Sequence, residues 1–303
     1  MNRKKFIQNL TLATAGLTLP LPKLLAELAK ADGYEIAYLN SHKTIGTFVQ
    51  KGGTIMFYYG KKGLVLVDAQ FADTVQNLIT EMQKVSDKKF THLINTHHHA
   101  DHTSGNIMLK PFGTVVVAHA NSLANQRSTA MKQKNEDKQY YPTTTFNSNI
   151  LNLKLDRKET LQLQYLGAGH TNGDILVHFT KANVVHCGDL VFNRRHPYID
   201  TTNGANVTNW IMILQSLQTK FDDNTIFVFG HANKGYNITG NKADIKAFEN
   251  YLTNVLAYVK EGITNNKTRK ELLLTKTIPN SPEWTGDGIE RSINAAYSEL
   301  TNK

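Results

Sequence analysis

The stretch Phe90-Thr91-His92-Leu93-Ile94-Asn95-Thr96-His97-His98-His99-Ala100-Asp101-His102 decides how the rest of the chain is read. Its first half has the length and composition of a short buried strand. Its second half packs four metal-competent side chains, His97, His99, Asp101 and His102, into six residues. Imidazole nitrogens and carboxylate oxygens are ligands that zinc accepts. In a turn leaving a strand the side chains point in varied directions. His97 and His99 can therefore serve one metal while Asp101 and His102 reach a second. A surface histidine patch is the competing reading, but packed histidines repel one another when protonated, and a metal-free protein gains little from them. His98, between the ligands, is expected to point away.

Upstream, residues 54–59 and 64–67 are β-like runs separated by a loop bounded by Gly60 and Gly63, a hairpin signal. Asp68 ends the second run. Asp73 is a candidate cap for a helix in which Val75, Leu78, Ile79 and Met82 recur at helical spacing. Downstream, residues 103–109 read as helix and 114–118 as strand. Strand and helix thus alternate, which implies an α/β layered fold. Residues 121–139 are a polar excursion. Residues 151–166 alternate apolar and polar side chains, as half-exposed strands do, and 175–179 and 184–186 are further strands. Residues 210–217 look helical, and 225–229 form a last buried strand. Ile245, Phe248, Leu252, Val255 and Val259 mark a core-packing helix over 244–262. The halves on either side of residue 150 both run from strands into helices, a weak sign of a pseudo-symmetric body.

Three more potential ligands each follow an apolar strand or a glycine-lined loop. His170 lies in Gly169-His170-Thr171-Asn172-Gly173-Asp174, Asp189 follows Cys187-Gly188, and His231 follows Gly230. Asp174 reads equally as a group orienting the loop or as a turn residue. His92, His178 and His186 fall within strand runs and read as packing or surface residues. His119 could stand behind the ligands.

Taken in order, His97-x-His99-x-Asp101-His102, Gly169-His170-Thr171-x-Gly173-Asp174, Gly188-Asp189 and Gly230-His231 resemble the metal motifs of the metallo-β-lactamase superfamily. The resemblance spans about residues 34–231. It implies an αβ/βα sandwich, a four-layer α+β arrangement, with the metals at one edge. It also implies that His97, His99 and His170 hold one metal, that Asp101, His102 and His231 hold a second, and that Asp189 bridges them. Two Zn2+ ions per chain are expected, with Mn or Fe as alternatives where availability decides occupancy. The implied chemistry is hydrolysis: a metal-bridging hydroxide attacks the carbonyl of an ester, lactone, thioester or amide, β-lactams included, and a metal stabilises the tetrahedral intermediate. Asp101 is the expected catalytic residue, orienting the nucleophile.

Within that family an aspartate at position 189 resembles glyoxalase II, quorum-signal lactonases and uncharacterised hydrolases more than specialist β-lactamases, where Cys or Ser stands there. The loop after Asp189 must begin near the metals, so Arg194, Arg195, His196 and Tyr198 are candidate substrate-binding residues. Two other readings compete: a mononuclear iron or redox member of the fold, against which His102 and His231 count, and a non-catalytic periplasmic metal-binding protein.

Bulk properties bound the rest. The chain has 303 residues, 40% of them hydrophobic, enough for a sizeable core. Its net charge of +9 is spread along the chain rather than clustered, so no nucleic acid is expected, and the family resemblance implies a small-molecule substrate. The one cysteine, Cys187, excludes an intrachain disulfide and a cysteine-rich zinc module, and reads as a small core residue. Arg3, Lys4 and Lys5, the apolar run from Phe6 to Leu21, and Ala29-Lys30-Ala31 describe a secretory signal over residues 1–31, similar to a twin-arginine signal with Lys4 in place of the second arginine. Residues 32–303 are then expected to form one domain, exported to the periplasm, with no stable membrane anchor after cleavage.

Overall fold

Four antiparallel strands begin the fold: β1 (Glu35–Tyr38), β2 (Ile45–Val49), β3 (Ile55–Tyr59) and β4 (Leu64–Val67). In the computed structural model, which describes residues 33–301, β5 (Phe90–Ile94), β6 (Val115–His119) and β7 (Thr144–Phe146) continue the sheet in parallel from β4. The leader expected over residues 1–31 lies outside the described residues.

The second sheet takes its strands from the other half of the chain: β8 (Ile150–Lys154), β9 (Thr160–Tyr165), β10 (Ile175–Phe179) and β11 (Val184–His186). Beyond a short pair made by β12 (Phe192–Asn193) and β14 (His231–Ala232), it is completed by β13 (Ile226–Val228) and β15 (Thr239–Gly240). The order is β15-β13-β11-β10-β9-β8, with β11 and β13 parallel.

Why the central strands are largely apolar follows from a period of two in a sheet covered on both faces. In β4, Val65 and Val67 enter the core between the sheets, while Leu64 and Leu66 face the helix α1 (Ala72–Val85). In β10, Ile175, Val177 and Phe179 meet the first sheet, and Leu176 faces the opposite helices. Fully burying each such side chain contributes about 1.5–3 kcal/mol.

The helices make the outer layers. After α1 come the single turn α2 (Ala100–Thr103) and α3 (Ala120–Gln133), within the stretch read as a polar excursion. On the second sheet lie α4 (Val207–Lys220), α5 (Lys242–Thr264), α6 (Arg269–Leu272) and α7 (Ile289–Thr301). Trp210, Leu214, Phe248, Leu252 and Val255 bury the faces of α4 and α5 against that sheet, as the apolar stripe on 244–262 required. The result is the αβ/βα sandwich.

Local readings needed two corrections. Asp73 does not cap α1: the helix starts at Ala72, and the N–H of Phe71 donates to Thr74 Oγ1 (3.2 Å). Residues 103–109, read as one helix, are divided between a single α-helical turn that ends at Thr103 and a 3-10 helix over 104–112, with Pro111, which lacks an N–H, in its last turn.

Candidate metal centre

The expected ligands lie in the segments that follow β5, β9, β11 and β13, and these segments are stitched together by main-chain bonds. Ile175 N–H donates to Thr96 O (2.9 Å), Thr54 N–H to Gly230 O (2.9 Å), and Gly230 N–H to Gly188 O (2.8 Å). These bonds fix the edge of one sheet against the other. A methyl group on Gly230 would collide with Asp189 Oδ1, so glycine is what lets that turn press against the carboxylate.

The ligand atoms converge in two groups. His97, His99, His170 and Asp189 form one, and Asp101, His102 and His231 the other, with the donor atoms of each within 4.8 Å of one another. Around the first, His99 Nδ1 lies 3.1 Å from His97 Nε2 and 2.9 Å from His170 Nε2. In the second, His231 Nε2 lies 3.2 Å from Asp101 Oδ2. Asp189 joins them. Its Oδ2 faces His170 Nε2 (3.5 Å) and His97 Nε2 (3.9 Å), and its Oδ1 faces His102 Nε2 (3.1 Å) and His231 Nε2 (3.5 Å).

This arrangement fits cations. His102 Nε2 and Asp189 Oδ1 are buried, close, and misaligned for hydrogen bonding, so each is a polar atom without a partner. Such atoms are costly unless something else satisfies them. The opposite nitrogen of four imidazoles is held: His97 Nδ1 by Thr96 Oγ1 (3.0 Å), His99 Nε2 by Asp200 Oδ2 (2.9 Å), His170 Nδ1 by Tyr198 O (2.6 Å) and His102 Nδ1 by Asp68 Oδ2 (2.7 Å). Anchoring the far nitrogen fixes tautomer and ring orientation, as metal-binding histidines require.

Charge follows the same division. Burial pushes His170 down to about 3 despite Asp189, and burial with the neighbouring His102 lowers His97 well below its usual value. Both are therefore neutral donors. Burial also acts against charge on His231 and His102, but Asp189 and Asp101 outweigh it, raising His231 to about 9 and His102 well above the ordinary range. The second group thus draws positive charge. Asp101 is held at about 2: burial opposes ionisation, and His102 and His231 overcome it.

All seven expected ligands are brought together. Three residues that support them carried no assigned role in the sequence reading. Asp68 also accepts from Thr96 N–H (2.8 Å) and Thr96 Oγ1–H (2.7 Å). Asp200 binds His99, and its Oδ2 also lies 3.4 Å from His98 Nε2. Phe192 stacks on His231 with ring centroids 5.4 Å apart. His98 therefore does not turn out of the site, as expected from sequence; it is buried beside Asp200 and lines the cavity. Asp174 accepts from Thr171 N–H (2.7 Å) and Oγ1–H (2.6 Å), orienting the loop that carries His170, and burial raises its carboxyl to about 7. His119 stands apart: it caps α3 and stacks on Tyr165.

A cavity of about 630 Å³ opens over the centre. Of the four candidate substrate-binding residues, Arg195, His196 and Tyr198 line it. Arg194 does not. It turns away, pairs with Asp244 (3.2 Å) and lies over the rings of Trp284 and Tyr236. Arg291 of α7, outside the region read for function, does line the cavity.

The sequence profile of the metallo-beta-lactamase superfamily matches residues 50–231, a span that holds all seven ligand side chains. The chain belongs to that superfamily. The type 2 metallo-beta-lactamase of Bacillus cereus is 29% identical over 175 residues, which cover 57% of this chain and 64% of that enzyme. The type 2 enzyme of Elizabethkingia meningoseptica is 26% identical over 235 residues, covering 76% and 89%. Among solved structures, a metallo-beta-lactamase from Pontibacter korlensis superposes with a TM-score of 0.60 at 18% identity, over 73% of this chain and 99% of that one. An inverting sec-alkylsulfatase from Pseudomonas sp. reaches 0.70 at 14% identity, over 89% of this chain and half of that one. These structural likenesses establish the fold; the superfamily's sandwich extends past residue 231 in this chain.

Proposed function

We propose that this superfamily member is a dinuclear zinc hydrolase of a small-molecule ester, lactone, thioester or amide, β-lactams included. The observation that carries the reading is Asp189, whose two oxygens face the two ligand groups separately. A single-metal protein has no use for the second group. Bound there, a zinc pair supplies Lewis acidity toward a carbonyl oxygen and makes water acidic near neutral pH.

The chain's own residues do the rest. Asp68, Thr96, Asp200 and the Tyr198 carbonyl hold the imidazoles so that little reorganisation is needed on metal binding. Asp101, whose side chain at 31% exposed is more open than His99 (17%) or His231 (11%), presents a carboxylate to the cavity beside the second group and would orient the attacking water. The carboxylate at position 189 supports an oxyester, lactone or thioester as substrate; the β-lactamase relatives support the cyclic amide.

The test is metal content of the purified protein, with hydrolysis of a lactone, a thioester, a 4-nitrophenyl ester and a cephalosporin before and after chelation. About two zinc ions per chain and chelator-sensitive turnover are expected. One iron per chain, or metal without turnover of any substrate, would reject the proposal.

A further inference from the structure

The superfamily match ends at residue 231, but the cavity wall does not. Arg291, in the first turn of α7, faces the same cavity as Arg195 of the loop after Asp189. The two segments are joined. Arg195 pairs with Thr285 in an isolated β-bridge, and Asn233 Nδ2–H donates to Thr285 Oγ1 (2.8 Å) and Arg194 O (3.0 Å). Arg291 lies 5.5 Å over the ring of Tyr198, whose ring packs against His99 at 5.3 Å. Its position is thereby referred to the metal centre.

Neither guanidinium makes an ion pair or a side-chain hydrogen bond among the described residues. The adjacent Arg194, by contrast, is matched to Asp244. Of the carboxylates around the cavity, Asp101 and Asp189 belong to the metal groups and Asp200 is taken up by His99 and Asn203. Asp287 stands on the rim without an ion pair to either arginine. Two planar five-donor forks without acceptors suit an oxyanion, which each can bind through two parallel hydrogen bonds.

Resting on the hydrolase reading, we propose that Arg195 and Arg291 form a subsite for an anionic group on the substrate, a carboxylate or a sulfonate-like oxyanion, set apart from the bond that is cleaved. Substrates would thus be anionic acyl compounds, and α7 would be a specificity element contributed by the chain's C-terminal region.

The experiment compares 4-nitrophenyl acetate with its carboxylate and sulfonate counterparts, mono-4-nitrophenyl succinate and 4-nitrophenyl 3-sulfopropanoate. It uses wild type, Arg195→Gln, Arg291→Gln and the double variant. The readout is the ratio of kcat/KM for each anionic ester to that for the neutral one, which cancels any general loss of folded enzyme. The ratio is expected to fall about tenfold in the double variant, chiefly through KM. The ester with the larger fall identifies the anion. An unchanged ratio for both would overturn the subsite. If wild type hydrolyses none of the three esters, the hydrolase reading is what has failed. Calorimetric binding of succinate and 3-sulfopropanoate then decides the subsite: tighter binding by wild type than by the double variant supports it, and equal affinity overturns it.

Discussion

Asp68 Oδ2 lies 2.7 Å from His102 Nδ1, and neither side chain is reached by solvent. The same carboxylate holds Thr96, whose hydroxyl touches His97 Nδ1. One buried aspartate therefore braces both ligand groups. Asp68→Asn keeps the shape but removes the charge that favours a cation. Zinc affinity is expected to fall roughly 10- to 100-fold, measured by competition with a chromophoric chelator. Unaltered affinity at both sites would show that His102 is held by packing alone.

The positions of the seven candidate ligands are legible because each lies in a segment that follows an apolar strand or a glycine turn, where a polar side chain stands out. Asp68 follows an equally apolar run, Leu64–Val67, yet a single aspartate ending a strand is also what a turn looks like. Its left-handed backbone (φ 62°) is visible only in three dimensions. Arg194 and Arg195 cannot be told apart in sequence, since what separates them is Asp244 and Trp284 arriving from later in the chain. Arg291 was missed because a helix lying against the cavity carries the same amphipathic pattern as one lying anywhere else. The sandwich itself was legible, since two-faced burial leaves continuous apolar strands between amphipathic helices.

Gly230 supplies a second test of the centre. Its missing side chain is the space into which Asp189 Oδ1 fits, with the Gly188 carbonyl group also within 2.8 Å of where a methyl would stand. Gly230→Ala is expected to push Asp189 off its position between the two ligand groups and to destabilise the fold by about 1–3 kcal/mol. Metal analysis should then give fewer than two zinc ions per chain, and the denaturant midpoint should fall. A variant with full metal content would show that the strand end moves rather than the carboxylate.

Cys187 is buried immediately before the Gly188–Leu190 turn that carries Asp189, and burial raises its thiol well above the ordinary range. A thiol reacts as its thiolate. The native protein is therefore expected to resist a disulfide reagent such as dithionitrobenzoate at pH 8 and to release one thiol equivalent per chain in guanidinium chloride. Rapid reaction of the native protein would mean that this turn opens in solution.

Asp156, in the turn between β8 and β9, gives a pH dependence that does not involve the metal ligands. Burial acts to raise its pKa, but its carboxylate accepts the N–H groups of Lys61 (2.9 Å), Lys158 (2.7 Å) and Glu159 (3.1 Å), and these outweigh burial, so the value lies below the ordinary 3.8. A depressed folded-state pKa contributes stability that is present above the unfolded value and is lost as pH falls through the folded one. Asp156→Ala removes a cap for the β8–β9 turn and its tie to the loop after β3. The expected loss is about 1 kcal/mol near neutral pH, or roughly 2–4 °C in Tm for a chain of this size. Thermal unfolding from pH 7 down to pH 3 should show the wild-type and variant curves parallel at the upper end. They should converge only below about pH 4. Curves that stay parallel to the lowest pH would assign the loss to packing instead of to the carboxylate's charge.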